Sequence, residues 1–242
     1  MNLFAKRQLP LAAHPRAEST FIANTLLFDL DGTLVDTAPD LTLALNKTLI
    51  QMNYPTVSLT NVKCWIGNGL RMLLKRSILN SGVKVIEPEL LSYGVNLFES
   101  FYRQSIWVNS SLYPGIIDGL CRLKIEGFKI GCVTNKRRSH AEALLAESGL
   151  ADYLGVLVAG GDLPEGKPSP QPLFLAAHCL MSSATTCVMI GDSKIDIDAA
   201  EAASMSSLLV MWGYYGGPIS IGIDTKAITY FDDIFRFITL GS

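Results

Sequence analysis

Short apolar runs closed by polar residues or glycine recur along the chain: TLLFD (Thr25–Asp29), KIGCVT (Lys129–Thr134), GVLVA (Gly155–Ala159), TCVMIGD (Thr186–Asp192) and SLLVMW (Ser207–Trp212). Runs without polar alternation suit strands buried on both faces, as in a parallel sheet. Helical patterns lie between them. GIIDGLCRLKIEG (Gly115–Gly127) and SHAEALLAESG (Ser139–Gly149) end in glycine, as helix C-termini often do, and PQPLFLAAHCLM (Pro170–Met181) opens on prolines, which a first helical turn tolerates. This alternation predicts an α/β fold with a parallel sheet, helices on both faces and right-handed crossovers.

One interval breaks the alternation. From residue 37 to residue 112 the patterns are helical and no convincing strand appears. LTLALNKTLIQM (Leu41–Met52), GLRMLLKRSIL (Gly69–Leu79) and PELLSYGVNLFESFYRQ (Pro88–Gln104) are all amphipathic. A crossover needs only about a dozen residues, so the excess reads as a small helical domain inserted after the first strand. Thr37–Pro39 and Ser111–Pro114 are the candidate hinges. The expected division is a Rossmann-like core of 24–36 and 113–242, a helical insertion at 37–112 and a loose leader at 1–23. In the leader, Lys6, Arg7 and Arg16 oppose Glu18, and Pro10 and Pro15 interrupt the apolar pieces, so no secretory h-region forms.

Composition narrows the function classes. Hydrophobic residues make up 49% and charged residues 17% of 242, which excludes a disordered chain and allows a core that needs no disulfides. Twenty basic against 22 acidic residues give a net charge of −2, with no overall drive toward nucleic acid or an anionic membrane. No apolar stretch has a membrane-spanning length. The cysteines at 64, 121, 132, 179 and 187 form no C-x-x-C pair and read as buried thiols in a reducing, cytoplasmic setting.

The polar residues that remain converge. In an open parallel sheet, ligands bind at the carboxyl ends of the strands. The first run ends in Asp29-Leu30-Asp31-Gly32-Thr33, the second in Thr134-Asn135, and a later one in Gly191-Asp192-Ser193, followed by Asp196 and Asp198. A loop, EGKPSPQP, carries Lys167. Each piece alone could be a helix cap, a turn or a solvated loop. Together they would set Asp29, Asp31 and Asp192 in one cleft, at a desolvation cost that calls for a cation. Oxygen ligands beside a phosphate site suit Mg²⁺. One carboxylate can attack phosphorus and a second can protonate the leaving oxygen and activate water. A threonine hydroxyl and a lysine ammonium can hold the phosphoryl oxygens.

These residues resemble the haloacid dehalogenase superfamily over most of the chain from Thr25 onward. DLDGTLVDT (Asp29–Thr37), CVTNK (Cys132–Lys136), KP (Lys167–Pro168) and GDSKIDIDAA (Gly191–Ala200) are similar to its four motifs. The resemblance implies Asp29 as nucleophile, Asp31 as general acid/base and a metal ligand through its carbonyl, Thr134 as phosphoryl ligand, Lys167 as charge neutraliser, and Mg²⁺ held by Asp29, Asp31 and Asp192. It implies Asp196 as a more distant acid or a water-mediated ligand, and leaves Asp198 on the surface. The insertion becomes a helical cap.

WIGNGLRMLL (Trp65–Leu74), SLYPGI (Ser111–Ile116), VAGGDLPEGKPSPQPL (Val158–Leu173) and WGYYGG (Trp212–Gly217) are similar to the phosphoglycolate phosphatase-like subfamily. The implied partner is a small phosphorylated metabolite, held by Thr134, Asn135, Lys167 and, from the cap, Asn68. Gly67-Asn68-Gly69 is either a substrate-approaching loop or a plain turn, and Arg71 either a carboxylate ligand or an exposed helix arginine. Trp65, Trp107 and Trp212 read as packing groups. Phosphatases of sugar phosphates, N-acetylmuramate 6-phosphate or pyrophosphate remain open. So does a β-phosphoglucomutase-type transferase, although such enzymes usually carry an acid where Gly191 stands.

Overall fold

The computed structural model describes residues 21–214 and 224–241. The chain begins with β1 (Phe21–Ala23), β2 (Thr25–Phe28) and β3 (Val35–Asp36). Four helices follow: α1 (Ala38–Gln51), α2 (Leu59–Trp65), α3 (Leu70–Leu79) and α4 (Pro88–Arg103). Then come β4 (Ser111–Leu112), α5 (Ile116–Ile125), β5 (Lys129–Arg137), α6 (Arg138–Glu147), β6 (Val156–Gly160), α7 (Gln171–Cys179), β7 (Cys187–Gly191), α8 (Lys194–Ala202) and β8 (Ser206–Val210). The chain closes with β9 (Thr225–Ile228), α9 (Ile234–Phe237) and β10 (Ile238–Leu240).

Six strands form one parallel sheet in the order β6-β5-β2-β7-β8-β9. This is the sheet that the apolar runs predict. Successive side chains leave opposite faces of a strand, and both faces are buried. Leu26, Phe28, Ile130, Cys132, Val188 and Ile190 pack with α5 and α6 residues such as Leu120 and Leu144. Leu27, Val133 and Met189 pack with Leu173 and Ala176 of α7 and Ala199 of α8. The chain leaves β2 for β5 and β6 on one side and returns to β7, β8 and β9 on the other. The order therefore reverses around β2, and the crevice beyond the ends of β5, β2 and β7 is the switch point where such sheets bind ligands.

The helices α1–α4 have an apolar core of their own, built from Leu45, Leu49, Val62, Leu74, Ile78, Phe98 and Tyr102 among others. They leave and rejoin the sheet through β3 and β4, a short antiparallel pair joining Val35 to Leu112 and Asp36 to Ser111. A buried carboxylate reinforces that junction. Asp40, in the first turn of α1, accepts backbone N–H bonds from Val108 (3.0 Å), Asn109 (2.8 Å) and Ser110 (2.9 Å) and the Ser110 hydroxyl (2.6 Å). Such charge-assisted bonds are about twice as strong as neutral ones. The two candidate hinges are thus held together, one by strand pairing and the other by Asp40.

Three expectations need correction. The leader ends earlier than residue 23: Phe21–Ala23 pairs in parallel with Ile238–Leu240, and Phe21 and Ala23 are buried. The apolar pair was hidden by the absence of any strand-length run. The interval 37–112 is bounded by strands, which at two residues each are too short to show a period. The thiols of Cys132 and Cys187 are buried, but Cys64, Cys121 and Cys179 face solvent on α2, α5 and α7. Residues 1–20 of the leader, and Tyr215, Gly216 and Gly217 of the WGYYGG segment, lie outside the described residues.

Candidate active site

The pairing register puts Phe28 beside Cys132 on one side and Ile190 on the other. Asp29 therefore emerges level with Val133 and Gly191, and Thr134 and Asp192 stand one residue further out. Its backbone N–H still donates to Ile190 O (2.9 Å), so the strand geometry holds up to the carboxylate. Asp29, Thr134, Lys167, Asp192 and Asp196 are all at most 7% exposed.

Lys167 joins this group. Its ammonium lies 2.9 Å from Asp29 Oδ1 and 2.6 Å from Asp196 Oδ1, and donates to Val133 O at 2.6 Å. Burial opposes its charge, but Asp196 and Asp29 outweigh burial and hold it protonated. Asp196 comes from the first turn of α8, where its other oxygen accepts from the Ser193 backbone N–H (3.1 Å) and hydroxyl (2.6 Å) in a capping box. Asp192 accepts from the Tyr214 N–H (2.6 Å) and more weakly from Thr33 Oγ1 (3.5 Å). Gly32, at φ +88°, lies so near the Asp192 carboxylate that a Cβ would overlap it, a close approach only glycine permits.

Burial pushes Asp29 up to about 7, with Asp196 adding to the rise and Lys167 opposing it. Burial, then Asp196 and Asp29, push Asp192 well above the ordinary carboxylate range. Both shifts mark negative charge without full compensation. Asp29, Asp192 and Asp196 each offer an oxygen, and these oxygens lie within 4.8 Å of one another. The donor set thus fits a hard, oxygen-seeking cation. The grouping adds the Asp196 carboxylate to those of Asp29 and Asp192, while the metal ligand expected from Asp31 is its backbone carbonyl.

Asp31 turns elsewhere. Its carboxylate accepts from Thr37 Oγ1 (2.7 Å) and from the ammonium of Lys136 (2.9 and 3.2 Å). Lys136 is itself buried, and the Asp31 carboxylate overcomes the burial cost and keeps it charged. Thr134 Oγ1 accepts from the Lys136 N–H (3.2 Å), which leaves the threonine proton free to donate.

A cavity of about 50 Å³ opens between this sheet edge and the helical insertion. Asp29, Asp31, Thr134 and Lys136 line its floor, with Ile66, Leu70, Leu73, Phe98 and Tyr102 opposite. Of the two asparagines expected to bind substrate, Asn135 lines the cavity and Asn68 does not. The Asn135 side chain is spent on scaffolding, donating to Gly67 O (2.9 Å) and Lys167 O (2.8 Å) and accepting from the Lys167 N–H (2.9 Å). Asn68 is exposed, bonded to Arg76 (2.8 Å), and does not line the cavity, because Gly67 and Gly69 turn their backbones inward and its side chain outward. Arg71 is an exposed helix arginine, and Asp198 pairs at the surface with Lys194.

Sequence reasoning missed Lys136, Tyr102, His140 and Tyr214. Lys136 stood inside a quoted motif, and its alternation with Thr134 was the available signal. Tyr102 and His140 come from helices and had none.

A family model described as haloacid dehalogenase-like hydrolase matches residues 26–210. The chain belongs to that family. Within it the similarity is to phosphoglycolate phosphatases. That of Colwellia psychrerythraea is 40% identical over 198 residues, covering 81% of this chain and 88% of the other. That of Nitrosococcus oceani is 38% identical over 192 residues, covering 79% and 85%. The crystal structure of a predicted phosphoglycolate phosphatase from Haemophilus somnus superposes with a TM-score of 0.82 at 32% identity, covering 88% of this chain and 97% of that one. This member of the haloacid dehalogenase-like hydrolases is thus a phosphatase-type hydrolase for small phosphates. No helix among its described residues is long and apolar enough to cross a membrane.

Proposed function

We propose that the enzyme is a Mg²⁺-dependent phosphomonoesterase whose leading substrate is 2-phosphoglycolate, cleaved to glycolate and phosphate through an aspartyl-phosphate on Asp29. The observation that carries this reading is the buried Lys167 ammonium, 2.9 Å from Asp29 and 2.6 Å from Asp196 beside Asp192. A nucleophilic carboxylate needs a fixed direction of attack and neighbouring positive charge, and this group supplies both.

An Asp29 oxygen attacks phosphorus and the bond to the ester oxygen breaks. Asp31 gives that oxygen its proton. Asp31 then takes a proton from water, which attacks phosphorus and releases Asp29. The Thr134 hydroxyl and Lys167 hold the phosphoryl oxygens during both steps. Asp29 and Asp192, with the Asp31 carbonyl that the resemblance implies and with Asp196 close by, would hold Mg²⁺. The ion would supply Lewis-acid neutralisation of phosphoryl charge.

The helices of 37–112 act as the cap that selects the substrate. With five free cysteines, a reducing cytoplasm is the proposed setting. A mutase reading is disfavoured at Gly191, where a Cβ would meet the Asp196 carboxylate, so the acid expected of such an enzyme has no room in this arrangement.

Asp29→Asn tests the reading. Turnover of 2-phosphoglycolate and p-nitrophenyl phosphate should both fall by at least ~10³-fold with the fold retained, as expected for loss of a covalent step. Substantial activity in the pure variant would refute the assignment.

A further inference from the structure

The cap contributes one polar side chain to the cavity whose hydrogen bonding is incomplete. Tyr102, on α4, is fully buried, and its hydroxyl makes no well-formed hydrogen bond among the described residues, although it lies close enough to the Lys136 ammonium to interact with it. Buried polar groups in folded proteins are nearly always partnered, so an orphan at a cavity wall calls for a ligand. The ring is fixed in place. It stacks on Phe98 at 5.5 Å and meets His140 edge-on at 5.1 Å. Burial raises the phenol above its ordinary range, so it is a proton donor.

Lys136 faces it. The ammonium lies 4.7 Å from the Tyr102 ring centroid and is 4% exposed. It has three N–H donors, and one carboxylate, that of Asp31, is its only anionic partner among the described residues. The other groups on this wall add no free positive charge. Arg137 is paired with Glu99 of α4, and His140 is held neutral, down to about 4, by burial and the charges of Lys136 and Arg137.

We propose that the Tyr102 hydroxyl and the Lys136 ammonium together bind a carboxylate on the leaving-group side of the substrate, making Tyr102 the cap's specificity-determining residue. This rests on the reading of Asp31 as the leaving-group acid. An acid in contact with the ester oxygen lies roughly 2.6–3.2 Å from it, and Lys136 is 2.9 Å beyond Asp31. A carboxylate one carbon from the ester oxygen spans that gap.

The test uses the Mg²⁺-loaded enzyme with 2-phosphoglycolate and ethyl phosphate, a pair differing in the carboxylate. Tyr102→Phe keeps the ring and removes the donor. The ratio of kcat/KM for 2-phosphoglycolate to that for ethyl phosphate should fall about tenfold, as expected for one hydrogen bond to a charged group, with the loss mainly in KM. Leu73→Val, a packing change on the same wall that leaves both ring contacts of Tyr102 in place, should leave the ratio within about twofold. A ratio unchanged in Tyr102→Phe, or lowered equally by Leu73→Val, overturns the proposal. A wild-type enzyme that hydrolyses both esters equally also overturns it while leaving the phosphatase reading intact. Hydrolysis of neither ester, with other phosphomonoesters turned over, overturns the substrate reading itself.

Discussion

The two walls of the cavity are built on different principles. The sheet-side wall is a set of strand ends. Asp29, Asp31, Thr134 and Lys136 line it, and Asp29 is tied to Lys167 of a loop and, through it, to Asp196 of α8. The cap-side wall is a set of helix faces. Ile66, Leu70, Leu73 and Phe98 reach the cavity as the outer layer of an apolar core, and Tyr102 is the polar exception. A wall of strand ends fixes chemistry to within a hydrogen bond. A wall of helix faces fixes shape, and can vary without disturbing the chemistry.

That difference should appear most strongly at Lys167. Lys167→Met leaves Asp29 and Asp196 buried without their shared cation. Breaking a buried pair in this way costs about 3–5 kcal/mol, readable as a lower urea midpoint, and turnover should be lost with it. A variant as stable as the parent would mean that the sheet-side wall does not depend on its charge network.

The same contrast explains what could be read from sequence. Asp29, Thr134 and Asp192 were legible because strand ends place them at one sheet edge, and Lys167 because its loop resembles a family motif; the structure sets Lys167 against Asp29 there. Lys136 escaped notice because its role depends on Asp31, far away in the chain. Tyr102 was invisible because an aromatic residue at helical spacing carries no mark of the cavity it meets. Asn68 was misplaced for a related reason. Neighbouring glycines signal a backbone that comes close to something, but not which way the residue between them faces.

The next effect separates the walls by metal response. The unfolded chain lacks the assembled carboxylates, so Mg²⁺ should raise the melting temperature. Stabilisation at a hundredfold excess over Kd is about 2.7 kcal/mol. EDTA should abolish the increment, and Asp192→Asn should remove most of it. Leu73→Ala, on the cap-side wall, should lower the melting temperature and yet keep the full increment. If Leu73→Ala lost the increment too, the walls would not be independent.

The smallest predicted effect lies at the seam. His140, on α6, is 5% exposed and packs against Tyr102 of the cap. Burial, with Lys136 and Arg137 adding repulsion, lowers it from 6.5 to about 4. The unfolded chain therefore takes up a proton near pH 6.5 that the folded chain refuses until about pH 4. Between those values the unfolded state binds more protons, so stability falls as pH falls. The contribution is complete above pH 6.5 and declines by about 2 kcal/mol on going from pH 7.5 to pH 5. His140→Gln removes the titration but keeps a polar side chain of similar reach. Its melting temperature should be less sensitive over that range than the parent's, with the two curves drawing together as the solution is acidified. Parallel curves would show that His140 does not resist protonation, and that the seam between the walls admits water.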